Sequence, residues 1–203
     1  MLPRPIAHAE LALPAPDELG GPPLAYALAR RRSVREFRPR RLTLQEIGQL
    51  LWAAQGITDS MRGLRTAPSA GALYPLEIDA VTRDGVYRYG PHGHMLTLRD
   101  AADVRAALAL AALLQDVIAK APCVFAIHAV PARTSVKYPG RAERYATLEA
   151  GHAAQNLVLQ ACALGLGAVT VGAIDNEGVA RTLNCAHGEK PLYLIAAGVP
   201  LKQ

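Results

Sequence analysis

The chain has 203 residues, 51% of them hydrophobic but only 5% aromatic, and a formal charge of +5. That length suits one domain burying roughly 70% of its unfolded surface. Its core must rest on Ala, Leu and Val, and its longest apolar runs, such as 106–114, fall short of the ~18 residues that cross a bilayer. The charge permits an anionic ligand or nucleic acid without requiring either.

Residues 1–21 are rich in Pro, Ala and Gly without periodicity, and predict an extended arm that frays or wraps over a partner. They hold no continuous apolar stretch, so no secretory signal is expected and the cytoplasm is the expected location. From Pro22, the spacing of Leu24, Ala25, Leu28 and Ala29 predicts a short helix, stopped by Pro39. Seven arginines fall between positions 30 and 41. Forked guanidinium donors beside the Ser33 hydroxyl suit a phosphate group, and Arg31, Arg32, Ser33 and Arg35 supply them within five residues. A solvated basic helix end or a nucleic-acid arm is the alternative.

Thr43 and Glu46 form a capping box, and Leu44, Ile47, Leu50, Leu51 and Ala54 follow at helical spacing until Gly56. Next comes the loop Arg65–Ile78. Its small residues expose backbone, Pro68 and Pro75 fix φ, and Gly71 can adopt dihedrals closed to other residues. A rigid wall for a flat ligand is expected, against the plainer reading of a Pro/Gly connection between helix and strand. Residues 76–82, 86–89 and 95–98 predict an antiparallel meander around the Asp84-Gly85 turn.

Residues 100–119 read as helical, broken near 113–115, and 123–130 as a buried central strand whose His128 suits a satisfied core histidine better than a ligand. Residues 131–140 read as a polar loop carrying Lys137 and Tyr138. The longest helix, 143–165, shows a stripe of Tyr145, Leu148, His152, Gln155, Leu159 and Cys162 among small residues, suited to a core helix and a dimer seam together. A strand at 166–173, a short helix at 175–183 capped by Asp175, and a strand at 192–199 complete an α+β domain over residues 22–203. Cys123, Cys162 and Cys185 lie in apolar runs with no C-x-x-C pair, so buried thiols are expected, with no disulfide and no metal site. The P-loop, the G-x-G-x-x-G fingerprint and a hydrolase triad are all missing.

Four blocks of this sequence, in order, resemble the FMN-dependent nitroreductase superfamily. They are Arg31-Arg32-Ser33-Val34-Arg35-Glu36-Phe37, the run from Ala67 to Ile78, that from Leu148 to Asp175, and that from Glu189 to Pro200. The last three are similar to its SagB-type branch, which includes azoline dehydrogenases of thiazole- and oxazole-modified peptides. The resemblance implies a mostly antiparallel sheet flanked by helices in an intertwined homodimer, with two FMN sites at the subunit interface, each built from both chains. By position, Arg31, Arg32, Ser33 and Arg35 would grip the phosphate and ribityl chain. Pro68, Ser69, Ala70, Ala72 and Tyr74 would form the ring wall, and Val171, Gly172 and Ala173 would present a backbone N–H to flavin N5.

Two departures bear on this. Ala72 and Tyr74 stand where classical nitroreductases carry polar Asn and Gln, which turns the resemblance toward the SagB-type branch, and Lys202 alone remains of a basic segment after the last strand. Lys137-Tyr138 is similar to a Lys-Tyr pair that acts as acid and base in azoline oxidation, where a proton leaves a ring carbon as hydride goes to N5; a solvated lysine beside a packing tyrosine is the alternative. The expected function is hydride transfer through N5 to or from a small-molecule or peptide substrate. NAD(P)H-driven reduction of a nitro or quinone compound competes with azoline dehydrogenation. The rivals are a basic nucleic-acid-binding module and a catalytically idle flavin protein. The expected protein works without a nucleic-acid or membrane partner.

Overall fold

The computed structural model describes residues 9–202; the first eight residues of the expected arm, and Gln203, lie outside that range. Seven strands form one sheet: β1 (Glu10–Ala12), β4 (Leu76–Thr82), β5 (Gly85–Gly90), β6 (Met95–Asp100), β7 (Cys123–Ala129), β8 (Gly167–Val171) and β9 (Lys190–Gly198). Their order is β1-β6-β5-β4-β7-β9-β8, and every neighbouring pair is antiparallel. A two-stranded ribbon, β2 (Ile57–Asp59) and β3 (Leu64–Arg65), stands apart.

Helices cover both faces, after a short first helix, α1 (Leu24–Arg30), that leads into the arginine segment. Cys123, Phe125, Ile127 and Ala129 of β7 join a core with α2 (Leu44–Gln55) and α6 (Ala142–Ala163). Val124 and Ala126, pointing the other way, join α3 (Arg105–Ala111), α4 (Asp116–Lys120) and α7 (Asn176–Thr182). Burial on both faces gives β7 its unbroken apolar run, although its neighbours are antiparallel. The α+β architecture read from the sequence is therefore the observed one.

The capping box at α2 is formed on both sides: the Glu46 N–H donates to Thr43 Oγ1 at 3.1 Å, and the Thr43 N–H to Glu46 Oε2 at 2.7 Å. Thr43→Ala is expected to cost about 1 kcal/mol, read as a fall of roughly 2–4 °C in the thermal midpoint.

Four expectations are corrected. The arm is not free, because β1 pairs with β6, Leu13 is buried, and the Leu13 N–H donates to His94 O at 3.0 Å. The arm wraps its own chain there, satisfying an otherwise open sheet edge. The loop 131–140 begins with a short helix, α5 (Pro131–Ser135), whose first-turn proline lacks an N–H that no helix bond would use. Of the cysteines, only Cys123 is buried; Cys162 and Cys185 are half-buried, and all three are free.

The fourth concerns α6. Its buried stripe is Ala146, Glu149, Ala150, Ala153, Ala154, Leu157, Val158 and Ala161. The stripe read from the sequence lies one position around the helix: Leu148 is 53% exposed, and His152 and Gln155 are also exposed. Alanines let the sheet approach closely, but they weaken the contrast between faces on which periodicity depends.

An ionic cluster lies on the α3/α4/α7 side of β4. Asp79, fully buried, accepts from Arg88 Nε at 2.6 Å, Arg88 Nη2 at 3.1 Å and Arg99 Nη1 at 3.1 Å. Arg88 also reaches Glu189 and Glu77. His128, equally buried, sets Nε2 3.1 Å from Asp79 and Nδ1 3.5 Å from Cys185 Sγ, and is a core histidine. Burial opposes the Asp79 charge, but His128 and Arg88 outweigh it and hold the carboxyl well below its usual range.

Candidate functional site

The arginine segment is fixed by the ends of two strands. Ser33 bridges to Ala168, the Val34 N–H donates to Ala168 O at 3.0 Å, and the Arg38 N–H to Val199 O at 2.8 Å. A Cβ at Gly167 would lie 2.6 Å from Val34 Cβ, so only glycine lets the segment lie this close to β8. Leu201 returns the chain terminus, its N–H donating to Glu36 O at 2.9 Å, which carries the exposed Lys202 to the same place.

Arg32 Nη1 turns back onto the carbonyls of Ala29 and Arg31. Arg30, Arg31, Arg32, Arg35 and Arg38 make no ion pair among the described residues, whereas Arg40 and Arg41, next along the segment, pair with Glu46 and Asp84. Unpaired guanidiniums on a fixed backbone are open to an anion.

Val171 is buried, while Gly172 and Ala173 emerge exposed past the end of β8. A Cβ at Gly172 would meet Tyr193 at an ordinary 3.4 Å, so the chain's own packing does not require the glycine. Its bare outer face is open to a close neighbour. Gln115, which the sequence reading missed, donates from Nε2 to Ala173 O at 3.2 Å and lines one groove with Arg35 and Leu201. It follows Leu113 and Leu114, both left-handed (φ 54° and 64°). The sequence signal was the helix break, not the amide.

The loop after β3 is strained and over-determined. Gly71, Ala72 and Tyr74 all have positive φ (66°, 53° and 44°), which is uncommon for the last two. The Tyr74 N–H donates to Ser69 Oγ at 2.9 Å, its hydroxyl accepts from the Arg65 N–H at 3.1 Å, and its carbonyl accepts from Arg133 Nη1 at 3.3 Å. The Arg65 guanidinium stacks 4.5 Å from its ring centre. These bonds hold Pro68, Ser69, Ala70 and Ala72 in a rigid, partly exposed edge. Lys137 and Tyr138 cross that edge: a Cβ on Gly71 would lie 3.2 Å from Lys137 Cδ and 3.4 Å from Tyr138 Oη. Tyr138 packs edge-on against Tyr145 of α6 at 5.3 Å. The structure thus brings Lys137 and Tyr138 to the loop.

Behind the loop sits Glu149 of α6, 3% exposed. Burial raises its pKa to about 7, against the Ser69 hydroxyl, the Arg65 charge and the Gln55 amide, which favour the carboxylate. Gln55 Nε2 and Glu149 Oε1 are both buried without a hydrogen-bond partner. Glu149 was also missed, although a lone acid at helical spacing with Ala146, Ala150 and Ala153 was visible in the sequence.

Two groups thus form in one chain. Arg31, Arg35, Lys202 and Gly172 gather near one end of the sheet; Ser69, Tyr74, Lys137 and Tyr138 gather beside the first third of α6. Among the described residues no hydrogen bond, ion pair or ring contact joins them. At 1.5 Å per residue, α6 carries the chain roughly 20 Å between Glu149 and the helix end that leads to β8.

The nitroreductase family model matches residues 28–199. A Methanocaldococcus jannaschii protein with the provisional name nitroreductase is 44% identical over 195 residues, covering 93% of this chain and 96% of its own. A crystal structure from Ralstonia eutropha JMP134, also provisionally a nitroreductase, is 32% identical with a TM-score of 0.87, covering 100% of this chain and 96% of that one. The NADPH:FMN oxidoreductase of Vibrio harveyi, complexed with NAD+, shares the fold at 19% identity and a TM-score of 0.67, covering 88% of this chain and 69% of that one.

Proposed function

The chain belongs to the nitroreductase family, and from that membership we propose that it is an FMN-dependent oxidoreductase moving hydride through flavin N5. The observation that carries this reading is that Arg31 and Arg35, without ion pairs, flank Ser33 on a backbone bridged to β8, the strand whose far end opens at Gly172.

The residues fit such a cofactor. Arg31, Arg35, Ser33 and Lys202 offer donors to its phosphate, with Arg32 a weaker contributor while its Nη1 holds two carbonyls. Pro68, Ser69, Ala70 and Ala72 carry no large side chain that would keep a flat ring off the loop, and Tyr74 braces them from behind. Val171, Gly172 and Ala173 offer backbone to the ring at its reacting edge. When bound, the flavin supplies the two-electron chemistry, taking hydride in one half-reaction and giving it in the other. The protein's part is to bind, orient, exclude water and handle protons.

Family membership supports a homodimer in which each site draws the arginines from one chain and the loop from the other. The outward stripe of α6, with Leu148, His152 and Gln155, suits that seam. NAD(P)H is the electron donor we favour, with a nitro or quinone compound as acceptor, in keeping with the relatives' names. A second reading, SagB-type azoline dehydrogenation, draws on Lys137 and Tyr138, which lie against the proposed ring wall at Gly71 and could hold the departing proton.

The first test is the visible spectrum. A yellow protein that releases FMN on denaturation and bleaches with NAD(P)H is expected. A colourless protein that cannot be loaded with FMN, and binds nucleic acid in a steeply salt-dependent way, would refute the flavin reading. A yellow protein inert to NAD(P)H and acceptors would be the idle binder. The two chemistries separate through Lys137→Ala and Tyr138→Phe: quinone reduction should persist in both, and azoline turnover, if it is the activity, should fall by roughly 10²-fold or more.

A further inference from the structure

A cleft of about 260 Å³ separates Pro68–Ala70 from the outward face of α6, and Glu149 forms part of its lining beside Tyr145 and His152. Glu149 is nearly fully buried, and its Oε1 has no hydrogen-bond partner. Every other buried residue of that helical stripe is Ala, Leu or Val, and the one charge the acid faces is Arg65; a buried polar atom without a partner calls for an explanation.

Ser69 lines the same cleft as the acid, and its hydroxyl favours the carboxylate. Its Oγ accepts the Tyr74 N–H at 2.9 Å, which fixes the oxygen and leaves one lone pair and the O–H for other partners. We propose that Glu149 is the proton store of this site, passing its proton through the Ser69 hydroxyl to an acceptor in the cleft as that acceptor takes up hydride. This deepens the flavin reading and rests on it.

The step balances. The hydride pair a quinone needs would be supplied by the bound flavin, and it leaves the quinone one proton short of hydroquinone. The Glu149 carboxylic acid gives a proton to Ser69 Oγ while the Ser69 O–H proton moves to the quinone oxygen, yielding a hydroquinone. Glu149 is left as carboxylate and regains a proton from water through the cleft. Glu149 acts through Ser69 and is therefore a positioning residue, with Ser69 touching the acceptor.

The charged and titratable groups around the acid are few. Arg65 of β3 favours the carboxylate; Tyr145 and His152 flank it on α6; Tyr74 lies in the loop; Lys137 and Tyr138 cross at Gly71; α2 contributes only the neutral Gln55. Burial outweighs Arg65, so the acid holds its proton up to about neutral pH.

The test has two readouts. Infrared titration of flavin-free protein should show a carboxylic-acid C=O band that disappears as pH rises through about 7 and is missing from Glu149→Gln. In flavin-loaded protein reduced with dithionite and mixed with benzoquinone, flavin reoxidation should slow by up to about tenfold per pH unit above neutrality. Glu149→Gln should be slower and flat with pH; Glu149→Asp should keep the pH dependence, and Ser69→Ala should slow the reaction while leaving the infrared band in place. An infrared band that titrates in the ordinary carboxylate range overturns the proposal. So does a Glu149→Gln enzyme with the wild-type pH profile or, should that variant not fold, a Glu149→Asp enzyme without pH dependence. Flavin loading is scored first by the visible spectrum, so a protein that takes up no FMN overturns the underlying reading and the relay with it, whereas a loaded protein with an unchanged profile overturns the relay alone.

Discussion

Replacing Arg31 and Arg35 together by alanine is expected to weaken FMN binding by on the order of 10²- to 10⁴-fold, because the phosphate is then deprived of two charge-assisted hydrogen-bonding partners. Neither guanidinium makes an ion pair among the described residues, and the backbone beneath them is held by Ala168, Val199 and Gly167 rather than by the side chains. Stability of the flavin-free protein should therefore change little. The double replacement by lysine should recover part of the affinity, because it keeps the charge and loses the fork. Fluorescence titration with FMN at several salt concentrations measures this, and the wild-type affinity should show the steeper salt dependence. An affinity unchanged in the alanine variant would remove these arginines from the phosphate site.

Asp79→Ala is expected to destabilise the fold by about 3 kcal/mol, the low end of what breaking a buried ion pair costs, because Glu189 and Glu77 still hold Arg88. For a chain of this size that is a fall of roughly 6–12 °C in the thermal midpoint. The exposed Arg40–Glu46 pair should contribute no more than about 1 kcal/mol. The same cluster sets the acid side of the stability profile. Asp79 is held below its unfolded pKa, so its contribution is fully present above the ordinary carboxylate range and is lost as pH falls through that range toward its folded value. Chemical denaturation at neutral and acid pH should show wild type losing stability on acidification more steeply than Asp79→Ala. Parallel losses would mean that other carboxylates carry the acid transition.

Local signals gave the fold its outline. The Thr43–Glu46 box, the Asp84-Gly85 turn and the two-sided apolar run at 123–129 each depend on neighbours within a few residues, and each stands where the sequence put it. Alanine blurred the rest: α6 could be rotated by one position without offending its composition, and that rotation concealed Glu149.

By itself, then, the sequence determined the longer helices and strands, the antiparallel meander, and which residues were small or basic enough to build a site, because those properties reside in single residues and short spacings; β1, the β2–β3 ribbon, α5 and the strained backbone at Ala72 and Tyr74 came only with the structure. Tertiary structure alone decided that Lys137 and Tyr138 cross Gly71 and that Gln115 holds the Ala173 carbonyl. It also decided that Asp79, Arg88, Arg99 and His128 meet in one buried cluster. Nearly all of these meetings join residues far apart along the chain, and no local pattern records them, since they exist only once sheet register and helix rotation are fixed together.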